Sequence, residues 1–396
     1  MNLLYEKIRH SPILWLLAIV PVAFAAARFM PKAHTLLFVL SVLAIVPLAT
    51  LLSHATESIA AKTGDAVGGL LNATLGNLTE LVIALAALRA GEHMLVKASI
   101  AGAIVTNSLF MLGASFLLGG LKYHVQEYNR VGARMQAGLL FLATVALLIP
   151  SAVSKVDAAP GAAVTQQLSI GLAVILIATY GLFMLFSLKT HRELFVGTDS
   201  GESDEEQPWP VGLAMGTLAG ITVLVALISE IFVESVQKAA EDFGMTPAFV
   251  GFIVVALVGA AAEMASAFSG ALKNRLDLSV GIALGSASQI ALFVAPVLVL
   301  LSHVIGPKPM DLQFWPGAVV MVLIATLTAA FVTNSGRSTW FIGVFILMVY
   351  LIFALTLFLL PPSNPSHQHS NQRPAGPFQV AIDARLLAQR DRSPCY

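Results

Sequence analysis

The chain has 396 residues, of which 57% are hydrophobic and only 11% are charged, with 22 basic residues balancing 22 acidic ones. A soluble domain carries about 25% charged residues, so the composition argues against a soluble enzyme. The absence of a basic surplus excludes a nucleic-acid-binding protein. The mean hydropathy of +0.83 predicts a protein that crosses a membrane several times.

Apolar stretches of about 20 residues, long enough for a helix to cross a bilayer core, follow one another along the chain. We expect eleven such spans, at residues 12–29, 33–52, 67–88, 98–120, 134–153, 165–188, 210–234, 247–272, 278–302, 314–334 and 339–360. No strand pattern competes with them, and open sheet edges do not occur in lipid. The predicted fold is therefore an all-α polytopic membrane protein.

Two segments differ from the rest in composition. Residues 189–209 are rich in Asp and Glu and are predicted to form an acidic cytosolic linker. Residues 361–396 are rich in Pro, His, Gln and Arg without periodicity, which is typical of a flexible tail. The remaining divisions that we expect are an N-terminus with an extra first helix at 1–32 and two five-helix units at 33–188 and 210–360.

The chain repeats itself at a fixed spacing. The third span contains GNLTE ending at Glu80, and the eighth contains GAAAE ending at Glu263, 183 residues later. The spans that follow contain Gly102 and Gly285, again 183 residues apart. Because the eighth span comes five places after the third, an odd number, the two copies cross the membrane in opposite directions. The sequence thus predicts two inverted five-helix repeats, an arrangement typical of secondary transporters that work by alternating access.

The loop charges predict the orientation. The side that holds the N-terminus carries eleven Lys and Arg residues, against seven on the other side before the tail. Basic loops favour the cytosol, so we expect a cytosolic N-terminus and a non-cytosolic C-terminus. The short N-terminal segment favours a bacterial inner membrane over a vacuole.

Two acidic residues lie deep in the predicted membrane. Glu80 is about 12 residues, or roughly 18 Å, into its span, and Glu263 occupies the equivalent position. A charge at that depth costs about 2.5–3.5 kcal/mol or more, and no basic residue lies deep in a span. The two glutamates must therefore be protonated or neutralised by a cation, which predicts a site where the cation and protons compete. Two protonated glutamates that only hold helices together are the structural alternative.

Further oxygen atoms lie within reach of this pair. The candidates are Asn77, Thr106, Ser286 and Gln289. Gly76 and Gly259 are each four residues before a glutamate, where they permit either close helix packing or an unwound turn with exposed carbonyl groups. Hard cations such as Ca²⁺ bind six to eight oxygens, whereas soft metals need His or Cys ligands that are missing here.

Three other acidic residues lie near the ends of spans. Glu57 is at the cytosolic end of the second span, and Glu230 and Glu234 are in the far half of the seventh. Their pseudo-symmetric positions predict ion-entry or proton-relay groups on opposite faces. Interfacial carboxylates that are merely solvated are the alternative interpretation.

Two long segments resemble a known family. GGLLNATLGNLTELVIALAAL with IAGAIVTNSLFMLG, and FVGFIVVALVGAAAEMASAFSGALKNRLDLSVGIALGSASQIALFVAPVLVL, are similar to the two signatures of the cation exchanger (CAX) family of calcium/proton antiporters. The resemblance implies ten core helices and exchange of Ca²⁺ for H⁺, both as transported substrates, with no cofactor. It places the family's central glutamates at Glu80 and Glu263, its asparagine at Asn77 and its glutamine at Gln289.

The second signature departs from the family pattern GNAAEH. This chain has Ala260 in place of the asparagine and Met264 in place of the histidine. The departure puts selectivity for calcium in doubt, so the alternative is a sodium-coupled or other-cation exchanger of the same superfamily. A membrane enzyme lacks support, because HExxH, GxSxG and paired intramembrane aspartates are missing. A passive channel does not require inverted half-sites.

Overall fold

The computed structural model describes residues 11–63, 65–153, 162–195 and 209–359. Helices account for nearly all of them, which confirms the predicted all-α polytopic membrane fold. Helices form because each backbone N–H and C=O group must find its hydrogen-bond partner within the segment when lipid surrounds it. Residues 196–208 of the predicted linker and the whole predicted tail at 361–396 lie outside the described residues.

The elements follow in the order given by the apolar stretches. In the first half they are α1 (Pro12–Trp15), a 3₁₀ turn (Leu16–Ala18), α2 (Ile19–Phe29), α3 (His34–Lys62), α4 (Asp65–Leu75), α5 (Leu78–Arg89), α6 (His93–Val105), a π-helical segment (Thr106–Met111), α7 (Leu112–Tyr123), β1 (Val125–Glu127), α8 (Arg130–Val153), α9 (Ala162–Leu185), a π-helical segment (Phe186–Thr190) and a 3₁₀ turn (Arg192–Leu194). In the second half they are α10 (Val211–Asp242), α11 (Pro247–Phe249), a π-helical segment (Val250–Val255), α12 (Ala256–Gly259), α13 (Ala261–Leu272), α14 (Leu276–Gln289), a π-helical segment (Ile290–Val294), α15 (Ala295–Leu301), α16 (Pro316–Thr333), β2 (Arg337–Thr339) and α17 (Trp340–Leu359).

The number of membrane crossings is close to the predicted one. Within the described ranges, nine helices are long and apolar enough to cross a membrane, and a tenth crossing is the pair Val250–Gly259 and Ala261–Leu272, bent by 61°. The predicted span at 67–88 corresponds to α4 and α5, which the chain divides between Leu75 and Leu78. Because α4 and α5 are each too short to cross alone, the exact count of eleven stays a prediction.

The 183-residue repeat is present in the helices themselves. Helix α5 begins at Leu78 and α13 begins at Ala261, and their last residues, Arg89 and Leu272, keep the same spacing. In both halves the next helix passes into a π-helical segment, at Thr106–Met111 and at Ile290–Val294. A wider helical turn of this kind is often found at functional sites.

Loops that were predicted to share a side of the membrane contact one another. On the predicted non-cytosolic side the hydrogen bonds join Thr35 with Asp242, Gln237 with Glu92, and Lys97 with Asp311. On the predicted cytosolic side they join Gln126 with Asn274 and Asn129 with Leu194. The described loops therefore form two separate faces, as expected for alternating helix directions.

One feature was not predicted, namely a short β-ribbon between the loops that are predicted to be cytosolic. Strands β1 and β2 pair antiparallel, with Gln126 opposite Ser338. An ion pair of 2.7 Å between Arg337 and Glu127 crosses the ribbon. The expectation of no strands was wrong here because the ribbon lies between spans, where three-residue strands leave no periodic pattern.

Close packing holds the two halves together. The backbone of Phe252 lies directly against Gly102, so that a Cβ atom at Gly102 has no room. Small residues allow membrane helices to approach in this way. The longest helices, α3 and α10, pack mainly against each other. The shorter helices on either side of the α4–α5 and α12–α13 junctions lie in the buried core, which contains the candidate site.

Candidate cation-binding site

Two interruptions in the helices place the membrane glutamates. The chain leaves helical geometry at Asn77 and at Ala260, and the next residue in each case begins α5 or α13. Glu80 and Glu263 are therefore each the third residue of a helix that begins inside the protein. A break therefore follows Gly76 and Gly259, in agreement with the unwound turn that was one of the two alternatives for these glycines.

The two interruptions lie against each other. A Cβ atom added to Gly259 would be 3.0 Å from Cγ of Glu80 and 3.3 Å from its Oε1. Gly259 thus lets the Glu80 side chain reach the break that precedes Glu263. The structure brings the predicted pair from the two repeats to one place.

A chain of hydrogen bonds runs beside the glutamates. Asn77 Nδ2 donates to Gln289 Oε1 at 2.5 Å, and Ser286 Oγ donates to Asn77 Oδ1 at 2.7 Å. Asn107 Nδ2 donates to Ser286 Oγ at 2.8 Å. All four residues are buried, and Asn77 is only 1% exposed. Three of the predicted site residues therefore form one network with a fourth residue.

That fourth residue, Asn107, was not among the predicted site residues. Its neighbour Thr106 was predicted instead, and the Thr106 hydroxyl lies 3.4 Å from the Tyr350 hydroxyl on α17. Asn107 could have been predicted from the sequence, because it is an amide side chain in an apolar span next to a predicted site residue. Which of the two neighbours faces the network depends on the π-helical segment that begins at Thr106.

Several buried polar atoms at the site have no hydrogen-bond partner among the described residues. They are Glu80 Oε1, Glu263 Oε2, Gln289 Nε2 and Asn107 Oδ1. An unpaired buried polar group costs about 1–3 kcal/mol. In the part of the chain that the structure describes, the ion pairs include neither Glu80 nor Glu263. The site is thus acidic and rich in oxygen atoms, which suits a hard cation or protons.

A cavity of about 1150 Å³ leads to the site from one face. At its inner end it is lined by Gly76, Glu263, Ser266, Ser286 and Gln289. At its mouth it is lined by Glu127, Arg275 and Arg337, which belong to the predicted cytosolic loops. Polar residues therefore line a path from that face to Glu263, whereas Glu80 is not a lining residue of the cavity.

The other predicted acidic residues lie at opposite ends of the structure. Glu57 lines the cavity and accepts a hydrogen bond of 3.0 Å from Ser53. Glu230 and Glu234 are exposed on α10 and are not cavity-lining residues. Glu230 forms an ion pair of 3.2 Å with Arg89. The cavity thus reaches Glu57 but not the pair on the far side.

The two halves of the site differ in chemistry. Ala260 occupies the position in its break that Asn77 occupies in the other, and it is fully buried. Met264, the other departure from the expected pattern, is also buried among apolar residues. The amide group at a break therefore comes from only one repeat. Among the described residues, no group of three His, Cys, Asp or Glu side chains is placed to hold a metal ion.

Comparisons with known proteins agree with this architecture. The family model described as sodium/calcium exchanger protein matches residues 33–189 and 213–359. The chain is 42% identical to a Ca²⁺/H⁺ antiporter of Aphanothece halophytica over 338 residues, which cover 82% of this chain and 90% of the relative. It is also 42% identical to the Ca²⁺/H⁺ antiporter ChaA of Bacillus subtilis, over 82% of this chain and 92% of the relative.

Solved structures give the same picture. The structure of native YfkE is similar with a TM-score of 0.76 and 37% identity, covering 88% of this chain and all of that one. A crystal structure of the H⁺/Ca²⁺ exchanger CAX has a TM-score of 0.65 over 90% of this chain and 89% of its own, at 17% identity. The second likeness concerns the fold alone.

Proposed function

The chain belongs to the sodium/calcium exchanger protein family, and from that premise we propose that it exchanges Ca²⁺ for H⁺ across a membrane. The proposal is supported by the relatives named as Ca²⁺/H⁺ antiporters. The observation that carries it is the meeting of Glu80 and Glu263 at two helix breaks, beside a cavity open to one face. Ca²⁺ and H⁺ are the transported substrates, and no resident cofactor is needed.

In this proposal the cation and the protons compete for the same oxygen atoms. Ca²⁺ binds the ionised carboxylates of Glu80 and Glu263, and protons neutralise them when the cation leaves. Asn77 and Gln289 contribute amide oxygens and Thr106 contributes a hydroxyl oxygen, while the Ser286 hydroxyl holds the amide oxygen of Asn77. Backbone carbonyl groups at the Gly76 and Gly259 turns complete a shell of the size that Ca²⁺ requires.

Alternating access follows from the inverted repeats. Each repeat, 33–188 and 210–360, supplies one broken helix, and an exchange of conformations between the repeats opens the site to the opposite face. Glu57 passes ions or protons at the face where the cavity opens. Glu230 and Glu234 do the same at the other face after the Arg89 ion pair separates.

We place the protein in a bacterial inner membrane with the N-terminus in the cytosol and the C-terminus outside. This orientation rests on the excess of basic residues in the loops on the N-terminal side. The cavity mouth then faces the cytosol, because Arg275 and Arg337 belong to those loops. The state described is accordingly the one that loads Ca²⁺ from the cytosol.

A second cation or coupling ion is favoured by one observation. Ala260 supplies no side-chain oxygen at the position where Asn77 supplies an amide, so the Ca²⁺ shell has one side-chain ligand fewer on that side. A shell completed by water discriminates less between divalent cations. Exchange of another divalent cation, or coupling to Na⁺, is therefore the alternative function.

Uptake of ⁴⁵Ca²⁺ into proteoliposomes tests the proposal, with a pH gradient and a Na⁺ gradient imposed separately. We expect uptake with the pH gradient and none with the Na⁺ gradient. Glu80→Gln and Glu263→Gln are each expected to abolish it, since a neutral amide can neither bind the proton nor balance the cation charge. Glu241→Gln, at an exposed glutamate paired with Lys238, is the matched control and should retain uptake.

The outcomes separate the alternatives. Uptake that follows only the Na⁺ gradient would support the sodium-coupled function. Uptake that competing Mn²⁺ suppresses as well as unlabelled Ca²⁺ does would support the broader cation selectivity. Uptake by both glutamine variants at the wild-type rate would refute the site.

A further inference from the structure

The hydrogen-bonded chain beside the glutamates crosses between the repeats at every step. Asn107 belongs to the first half, Ser286 to the second, Asn77 to the first and Gln289 to the second. Its second and fourth members, Ser286 and Gln289, line the cavity, whereas Asn107 and Asn77 do not. Asn107 is fully buried at the other end. The chain thus connects a residue away from the ion path with an amide that faces it.

The direction of this chain is set by Ser286. A hydroxyl group has one hydrogen to donate, whereas an amide NH₂ group only donates and an amide oxygen only accepts. Because Asn107 Nδ2 donates to Ser286, the hydroxyl donates onward to Asn77 Oδ1. Asn77 then donates its Nδ2 to Gln289 Oε1, and Gln289 Nε2 has no partner among the described residues.

The opposite direction makes the same number of hydrogen bonds. If the three amide groups rotate, Asn107 Oδ1 accepts from Ser286, Ser286 accepts from Asn77 Nδ2, and Asn77 Oδ1 accepts from Gln289 Nε2. The free group at the cavity end then becomes Gln289 Oε1. The two directions thus differ mainly in whether the chain presents an N–H donor or an oxygen to the site.

We propose that Asn107 and Ser286 are positioning residues that set the direction of this chain, and that cation binding reverses it. A hard cation binds oxygen atoms and is repelled by an N–H group. The cation therefore selects the direction that turns Gln289 Oε1 toward it, and the empty site keeps the observed direction. This inference rests on the proposed cation exchange.

The hydrogen-bonded chain is present on one side of the site only. With the 183-residue spacing, Ala103 corresponds to Ser286 and Ile290 corresponds to Asn107. Neither side chain can donate or accept a hydrogen bond. The hydrogen-bonded chain that includes Asn77 therefore has no counterpart beside Ala260, and one chain reverses for each cation bound.

Equilibrium binding of ⁴⁵Ca²⁺ to the purified full-length protein tests the inference. We expect Ser286→Ala and Asn107→Leu each to raise the Kd for Ca²⁺ about tenfold, the effect of losing a residue that orients a ligand. Because both act through the same chain, the double variant should bind no more weakly than the weaker single variant. Ser286→Thr keeps the hydroxyl and should bind within twofold of wild type.

Two variants serve as matched controls. Ser288→Ala removes a buried hydroxyl two residues along the same helix, where it donates to the backbone oxygen of Gln136. Thr106→Val removes the hydroxyl that precedes Asn107 and contacts Tyr350. We expect Ser288→Ala to leave the Kd for Ca²⁺ unchanged. Thr106 lies outside the hydrogen-bonded chain, so any increase in Kd from Thr106→Val should multiply with the increase from Ser286→Ala.

Other outcomes would overturn the inference. The inference fails if Ser286→Ala and Asn107→Leu each bind Ca²⁺ with the wild-type Kd. It also fails if the Kd of the double variant rises about a hundredfold, as for two independent sites. A third contrary result is an equal increase in Kd in Ser286→Ala and Ser288→Ala. If a variant does not fold, wild-type protein carrying ¹³C in the glutamine side-chain carbonyl provides the test. Ca²⁺ should shift one infrared carbonyl band, and an unshifted spectrum would exclude the reversal. Wild-type protein that binds no Ca²⁺ would refute the proposed function and the inference together.

Discussion

The close approach of Glu80 to Gly259 makes Gly259→Ala a sharp perturbation of the site. The added Cβ would be 3.0 Å from Glu80 Cγ, 3.3 Å from Oε1 and 3.4 Å from Cδ. Carbon atoms pack best at about 3.5–4.0 Å, so the Glu80 side chain must shift by roughly half an ångström. Overpacking of this kind costs about 1–3 kcal/mol, which corresponds to about 5–150-fold in an equilibrium constant. We expect the half-saturating Ca²⁺ concentration to rise within that range.

Gly281→Ala is the matched control for this prediction. Gly281 also lies in a helix of the second repeat and lines the cavity, but an added Cβ meets nothing within 4 Å. Alanine is favoured over glycine in a helix by about 1 kcal/mol, so this variant should fold and transport at least as well as wild type. The assay is pH-driven ⁴⁵Ca²⁺ uptake over a range of Ca²⁺ concentrations.

The two glycine variants separate a local effect from a general one. If Gly259→Ala keeps the wild-type half-saturation, the Glu80 carboxylate is not held against the second break when Ca²⁺ binds, and the geometric argument fails. If both variants lose affinity equally, the effect belongs to helix packing and not to Glu80. Thermal stability measured on the same preparations shows whether a lost signal reflects unfolding.

Three further predictions concern the second half-site, the helix packing and the protons. Ala260→Asn supplies the missing amide and should lower the Ca²⁺ Kd about tenfold and increase the preference for Ca²⁺ over Mn²⁺; unchanged affinity and selectivity would show that position 260 is not a ligand position. Gly102→Ala forces a Cβ into the backbone of Phe252 and should lower the melting temperature or prevent folding, whereas a wild-type melting temperature would contradict the packing. Because protons occupy the carboxylates that Ca²⁺ needs, the Kd for Ca²⁺ should fall as pH rises and level off once both are ionised; a Kd independent of pH would contradict the competition.

Much of the fold was predictable because lipid imposes simple rules. A run of apolar residues in a membrane must form a helix to satisfy its backbone, so the spans at 278–302 and 339–360 correspond to α14–α15 and α17 within a few residues. The repeat was also readable, since equal spacing of Glu80 and Glu263 does not depend on tertiary structure. The break near Gly76 was predicted only as one of two alternatives, because a glycine by itself also indicates close packing.

The partners within the site were not predictable from spacing. Thr106 and Asn107 differ by one residue, and ordinary helical periodicity does not decide which faces Ser286. The π-helical segment that begins at Thr106 widens the turn and changes the facing of both residues. Similarly, the ion pair of Arg89 with Glu230 joins the end of α5 to the middle of α10, and the spacing of residues along the sequence does not predict such a contact.

The two repeats have equivalent backbone breaks but different side chains at those breaks, and the two properties matter for different steps of the proposed exchange. The proposed alternating access requires that both repeats be able to adopt either conformation, and the equivalent breaks before Leu78 and Ala261 fit this requirement. Binding requires only that oxygen atoms meet at one place, and these come unequally, with amides at Asn77 and Gln289 against Ala260 and Thr106 at the corresponding positions. Selectivity should accordingly respond to substitutions around Asn77 more strongly than to those around Ala260, unless a substitution adds a ligand.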